Sequence, residues 1–316
     1  MAHAATPAPP AITEYLLPQR NSAPDAIAVG PHGVLWFTEQ IADRIGRVDP
    51  ATRDVIDYPL PTPAAGPMSI TTGSDGGVWF AEFTADKIGR IDPRSGRITE
   101  IALPGPHDKP TRIMSGPDGA LWFTQPIRNS IGRLDPRTHA ITSHPLPSAG
   151  ATPMEIVTGP DGAVWFTEQT GNRLGRVDTR TGRITEYRMP AASLDPYALT
   201  VGPDKALWFT DYLGDAVWRF EPRTGATARV ALPEPKSYPA SIRTGPDNAL
   251  WITEFGLDRL ARLDPTTHRV TEQATPTRLS APEGLAVGDD HALWFTEFIG
   301  NRIGRFRPQA FTPAAP

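Results

Sequence analysis

The chain has 316 residues, with 35 Asp plus Glu against 31 Lys plus Arg, and no cysteine. A net charge of -4 leaves no basic excess to hold a phosphate backbone, so nucleic acid is not an expected partner. Without cysteine there are no disulfides, thiolate zinc sites or cysteine nucleophiles, and the redox compartment stays open.

The first eleven residues, rich in Ala and Pro, read as a flexible tail or the stub of a removed export signal. They lack the apolar stretch of a signal peptide. No run in the chain approaches the roughly 20 apolar residues of a membrane span, so a soluble protein is expected, in a compartment left open. From residue 12 to 308 the chain repeats. Tryptophans fall at 36, 79, 122, 165, 208, 251 and 294, a constant spacing of 43, each in an L/V-W-F/I-T/A-E/Q/D segment. Such a period with short strands predicts the blades of a propeller rather than helical repeats.

Each unit reads as four strands. In the third these are 112–115, a Gly116-Pro117-Asp118-Gly119 turn, 121–124, 130–134 and 140–143. Adjacent Trp and Phe put large apolar groups on both faces of the second strand, which suits a sheet packed between two neighbours. The fourth-strand phase passes through Val55, Ile98, Ile141, Ile184, Thr227 and Val270. Carried backwards it reaches Ile12, and carried forwards it reaches Pro313, which cannot donate to a ladder. The predicted fold is therefore all-β: a single seven-bladed propeller over 12–308, closed by pairing its N-terminal strand with the last blade, with flexible tails at 1–11 and 309–316.

Seven copies in one chain separate scaffold from site. The Trp column, the apolar column from Ile27 to Leu285 and the arginines at 47, 90, 133, 176, 219, 262 and 305 recur and are assigned to the scaffold. So is the acidic column Glu39, Glu82, Gln125, Glu168, Asp211, Glu254 and Glu297, expected to hydrogen-bond neighbouring backbone. A proline opens every blade, and the residue after it varies: Asp25, Met68, Thr111, Met154, Tyr197, Ala240 and Glu283. That ring is placed at one mouth of the central channel. Ring closure makes blades one and seven neighbours, so Asp25 and Glu283 can hold a hard cation or divide acid and base roles, with Tyr197 as the third candidate catalytic group. The plainer alternative, solvated carboxylates at a loop edge, stays open. Flanking positions add Lys109 and Arg112, suited to an anionic or carbonyl group, with Glu155, Tyr238 and Ser241 as further ligand contacts. None of the seven histidines has metal-ligand spacing, and no nucleophile elbow or phosphate-binding glycine loop is present.

The units Gly-Pro-Asp-Gly at 159–162, Leu-Trp-Phe-Thr-Glu at 293–297, Asn-Arg-Ile-Gly-Arg at 301–305 and Ile-Thr-Glu-Tyr at 184–187 resemble those of the streptogramin B lyases, also called virginiamycin B lyases. The resemblance spans residue 12 to about 308. It implies elimination across the ester of a cyclic depsipeptide antibiotic, assisted by magnesium. It also implies catalytic histidines after the opening proline of blades six and seven, where this chain has Ala240 and Glu283. A metal-linked glutamate falls on Ala281 and a tyrosine on Asp25, so none of the four residues is kept. Two functions follow: a lyase-like enzyme built on Glu283, Asp25 and Tyr197, acting on a cyclic peptide, lactone or similar small molecule, or a non-catalytic propeller binding a peptide, glycan or protein on the same face. In either case a monomer is expected, with its ligand at the channel mouth.

Overall fold

The computed structural model describes residues 12–191 and 193–308. The tails expected at 1–11 and 309–316, and Pro313, lie outside the described residues. Seven four-stranded antiparallel sheets form a ring. In blade one the strands run Pro24–Val29, Leu35–Glu39, Arg44–Val48 and Val55–Pro59, from the channel outwards. The seventh sheet takes its outer strand, Thr13–Leu16, from the N-terminus, paired with Arg302–Phe306 in the register Thr13 to Arg305. Blade three shows the expected meander with shifted ends: Ile113–Ser115, Leu121–Gln125, Ser130–Leu134 and Ile141–Pro145. No helix among the described residues is long and apolar enough to cross a membrane.

The core is a ring of layers between blades. Trp36 packs with Phe80 of the next blade, Trp79 with Phe123, Trp122 with Phe166, and the last layer joins Trp294 to Phe37. Each ring removes about 150–250 Å² from water, so every blade junction is a large apolar contact. The Phe needs a gap in the third strand: a Cβ on Gly46 would lie 2.1 Å from the Phe37 ring.

Six of the seven recurrent arginines are ion-paired. In blades two to seven the turn aspartate accepts from the Trp indole and from the Arg, as Asp75 does from Trp79 Nε1 at 2.9 Å and Arg90 Nε at 2.8 Å. Blade one has His32 in place of that aspartate, and the buried Trp36 Nε1 has no hydrogen-bond partner among the described residues.

The acidic column differs from expectation. Only Asp211 accepts a backbone hydrogen bond, from Asp195 at 3.0 Å, while Gln125 accepts from the hydroxyls of Ser130 and Ser143, both at 3.1 Å. The carboxyl oxygens of Glu39, Glu82, Glu168, Glu254 and Glu297 are buried without a hydrogen-bond partner among the described residues, although Arg173 Nη1 lies 3.7 Å from Glu168 Oε2. Burial and a second carboxylate on the outer strand, such as Glu100 beside Glu82, push these glutamates up to about 7 for Glu39 and about 8 for the other four. At pH 7 the four glutamates at about 8 are mostly neutral and Glu39 is about half so, and packing of a largely uncharged carboxyl replaces the expected bonding.

Candidate functional site

The inner strands of all seven blades line a central cavity of about 560 Å³. Six of the seven inner strands enter it irregularly, while in blade three the paired strand begins only at Ile113. The register against the second strand slips just after the opening proline, between Pro24 and Ile27 in blade one and between Pro282 and Leu285 in blade seven. A bulge of this kind re-aims side chains, which is why residues one and two places after the proline both reach the site. The threonine of the Trp-Phe-Thr segment fixes the turn from both sides. Thr296 Oγ1 accepts from Gly284 N at 2.8 Å and donates to the Asp25 carbonyl of the next blade at 2.6 Å. Thr253 holds the Glu283 carbonyl at 2.7 Å and Thr167 holds that of Tyr197 at 2.9 Å.

Arg112 is the centre of the cluster. Its Nη1 donates to Asp25 Oδ1 at 3.1 Å and to the Met68 carbonyl at 2.9 Å. Its Nη2 donates to the Tyr197 hydroxyl at 3.3 Å and lies 3.8 Å from Glu283 Oε1. The Tyr197 hydroxyl in turn donates to Glu283 Oε1 at 3.4 Å. Blades one, two, three, five and seven thus meet at one guanidinium.

Burial sets the charge states. Asp25, Arg112 and Glu283 are each buried in the folded chain. Desolvation pushes Asp25 upwards against the pull of Arg112. Glu283 rises to about 8, first through desolvation and then through the charge of Asp25. Burial alone would lower Arg112, but the surrounding carboxylates hold it charged. Burial and the neighbouring Glu283 raise the Tyr197 hydroxyl, which stays protonated and able to donate. The arrangement offers one carboxyl poised near neutrality beside a fixed cation and a phenol.

The other candidates from the sequence divide. Glu155 and Ser241 line the cavity with Asp25, Arg112 and Glu283. Met68 joins through its carbonyl, while Met154 is half-buried and does not line the cavity. Thr111 is buried, its hydroxyl donating to the Lys109 carbonyl at 3.3 Å. Lys109 turns away: its Nζ donates to the Thr84 carbonyl at 3.0 Å and lies 3.3 Å from Asp86 Oδ2. Tyr238 stacks on Tyr212 at 5.4 Å, and Tyr212 lies 5.0 Å from Tyr197, giving an aromatic arc across blades five and six. Tyr212 was not singled out by the sequence, because it follows the acidic column rather than the opening proline. Arg243, another cavity residue, was also missed.

The chemistry of the donors does not fit a magnesium ion. Asp25 is committed to Arg112, which already supplies the positive charge between the two carboxyls. Among the described residues no group of three His, Asp or Glu comes together that could hold a metal.

Above the cluster the surface becomes apolar. Six of the seven exposed large apolar side chains lie at this end of the propeller: Ile41, Ile127, Leu213 and Ile299 in the loops after the acidic column, Leu279 before the opening of blade seven, and Leu16 at the end of the N-terminal strand.

The virginiamycin B lyase family model matches residues 7–139 and 96–311. Virginiamycin B lyase from Staphylococcus aureus superposes with a TM-score of 0.88 at 34% identity, over 94% of this chain and 99% of that one. A catalytically inactive His-to-Ala variant of the S. aureus enzyme, solved with quinupristin, gives 0.88 at 33%, over the same shares. Hydrazine synthase from Kuenenia stuttgartiensis, at 16% identity and a TM-score of 0.78 over 98% of this chain and 100% of that one, shares the fold alone. No curated protein matches the chain.

Proposed function

The chain belongs to the virginiamycin B lyase family, and from that premise we propose that its channel mouth is a lyase-type centre with Glu283 as the base. The observation that carries this reading is a buried carboxyl, raised to about 8, in contact with a phenol and beside a guanidinium. Glu283 stands where the family resemblance implies a catalytic histidine, so one base replaces another with a similar working range. The ionised carboxylate removes the proton from the carbon next to a substrate carbonyl. The C–H electron pair becomes a C=C bond, the C–O bond at the adjacent carbon breaks, and its electron pair leaves with the ester oxygen as a carboxylate. Arg112 and the Tyr197 hydroxyl stabilise the negative charge developing on the carbonyl oxygen, a role a fixed guanidinium fills without a metal. The apolar rim over a polar centre suits a cyclic peptide, lactone or related small molecule.

The test is incubation with a streptogramin B antibiotic such as quinupristin and with a panel of macrolactones, with and without chelator, followed by chromatography and mass spectrometry. A product of unchanged mass and shifted retention, formed in chelator and absent with Glu283→Gln, is the expected result. Intact substrates across the panel would overturn the reading.

A second reading has one observation in its favour. Three of the five N–H groups of Arg112 are already held by protein acceptors, which fixes the guanidinium in place and suits a rigid binding surface. On that reading Glu283→Ala and Asp25→Ala lose affinity for a peptide or small-molecule ligand, and no turnover accompanies it.

A further inference from the structure

We propose that the channel contains an oxyanion subsite at Arg243, taking the carboxylate of a ligand whose other end lies at the mouth. Only the placement of that other end rests on the proposed function; the carboxylate end stands on the channel itself.

Four residues after each opening proline the blades carry Ala28, Thr71, Met114, Val157, Thr200, Arg243 and Ala286. Six of these are uncharged, so the scaffold at this register does not need an ion. Blade six alone places a guanidinium there, on the wall of the 560 Å³ cavity and half-buried. Its Nη1 donates to the carbonyl of its own neighbour, Ile242, at 2.8 Å. Among the described residues no carboxylate lies within ion-pair distance of it, although Asp25, Glu155 and Glu283 line the same cavity. Asp25 is bound to Arg112, and the charge of Glu155 acts on Asp25, Arg112 and Glu283 at the mouth.

Arg243 is therefore a cation without a counter-ion in a concave, low-dielectric channel, where its field is focused rather than screened. Thr71, Thr200 and Ser115 line the cavity with hydroxyls able to complete an oxyanion's shell. A planar guanidinium matches a carboxylate in bidentate geometry, which sets the ligand class. The Arg243 register lies three residues beyond the Glu283 ring, about 10 Å along the strand. A ligand touching both is an elongated molecule with a terminal carboxylate.

The experiment uses the full chain with adipate as probe and adipamide as its uncharged counterpart, read by calorimetry and by the shift in melting temperature. Neither probe requires turnover, so failure of the lyase reading leaves the result intact. Adipate binds and raises the melting temperature with concentration, more weakly as salt rises, and adipamide does not. Arg243→Gln weakens adipate binding by about tenfold or more. Thr200→Glu on the neighbouring blade supplies an internal carboxylate at the same register and also weakens it, which keeps the test intact where Arg243→Gln fails to fold. Equal affinity of adipate for the wild type and for whichever of these variants folds, or no binding of adipate to the wild type at millimolar concentration, overturns the proposal.

Discussion

Arg112 on blade three reaches Asp25 on blade one, Nη1 to Oδ1 3.1 Å, although 87 positions separate them in the chain. Both side chains are buried, so the pair is shielded from water and salt. Removing one partner strands the other. Arg112→Met is expected to cost about 3–5 kcal/mol, and Asp25→Asn with Arg112→Met together less than the single Arg112 change, because no buried charge is then left alone. Urea unfolding at pH 7 measures both, and a double variant less stable than either single one would contradict the pairing.

The activity proposed for Glu283 has a defined pH dependence. A base works only when ionised, and a folded value of about 8 leaves about one tenth of Glu283 ionised at pH 7. Turnover, expressed as kcat/KM, should rise through pH 8 and level off above it. Glu283→Gln should be lower by about 10²–10⁴ and flat across the same range. A wild-type profile flat from pH 6 to 9 would remove Glu283 from the base role.

The buried glutamates make stability itself depend on pH. Their folded values, about 7 to 8, lie above an unfolded value of about 4.3, so the folded state binds more protons between the two. Stability is then greatest below about pH 4.3 as far as these groups are concerned, and is lost as pH rises through 8. Glu254→Gln keeps the shape of the neutral carboxyl and cannot ionise, and Gln125 already occupies the same place in blade three. The variant should melt higher than wild type at pH 9 and differ little at pH 5. Equal pH dependence of the two melting curves would show that Glu254 does not titrate in this range.

The blades were legible because seven copies of a 43-residue unit average out local ambiguity, and because Ile12 falls on the phase of the outer strands. The mouth residues were legible for the same reason: the position after the opening proline varies from blade to blade where its neighbours recur, and Asp25, Tyr197 and Glu283 stand in it. What joins them was not. Arg112 stands one place further on, just ahead of the paired strand of blade three that starts at Ile113, and the circular arrangement of the blades brings it against Asp25 and Glu283. The threonine column that grips the backbone of Asp25, Tyr197 and Glu283 recurs in six of the seven Trp segments, with Ala81 in the other, which made it look like packing. Conversely, the buried glutamates recur yet lack the expected hydrogen bonds, since recurrence reveals a shared environment without revealing its polarity.

Ring closure gives the last prediction. The strand Thr13–Leu16 is the outer edge of blade seven, and its side chains are built into that blade. Tyr15 stacks on Trp294 at 5.5 Å, and Glu14 accepts from Thr277 N at 2.9 Å and from Thr277 Oγ1 at 2.7 Å. Deleting residues 1–18 removes these contacts and leaves the strand Arg302–Phe306 as an unpaired edge, open to pairing with another chain. The expected result is a loss of about 3–5 kcal/mol in stability, from lost apolar burial and an opened core, together with aggregation on heating. Deleting 309–316 should change the melting temperature far less. Moving residues 12–18 to follow residue 308 restores the strand to the same sheet and should recover most of the loss. Equal melting temperatures for the two truncations, or no recovery in the rearranged chain, would mean that the N-terminal strand does not hold the ring shut.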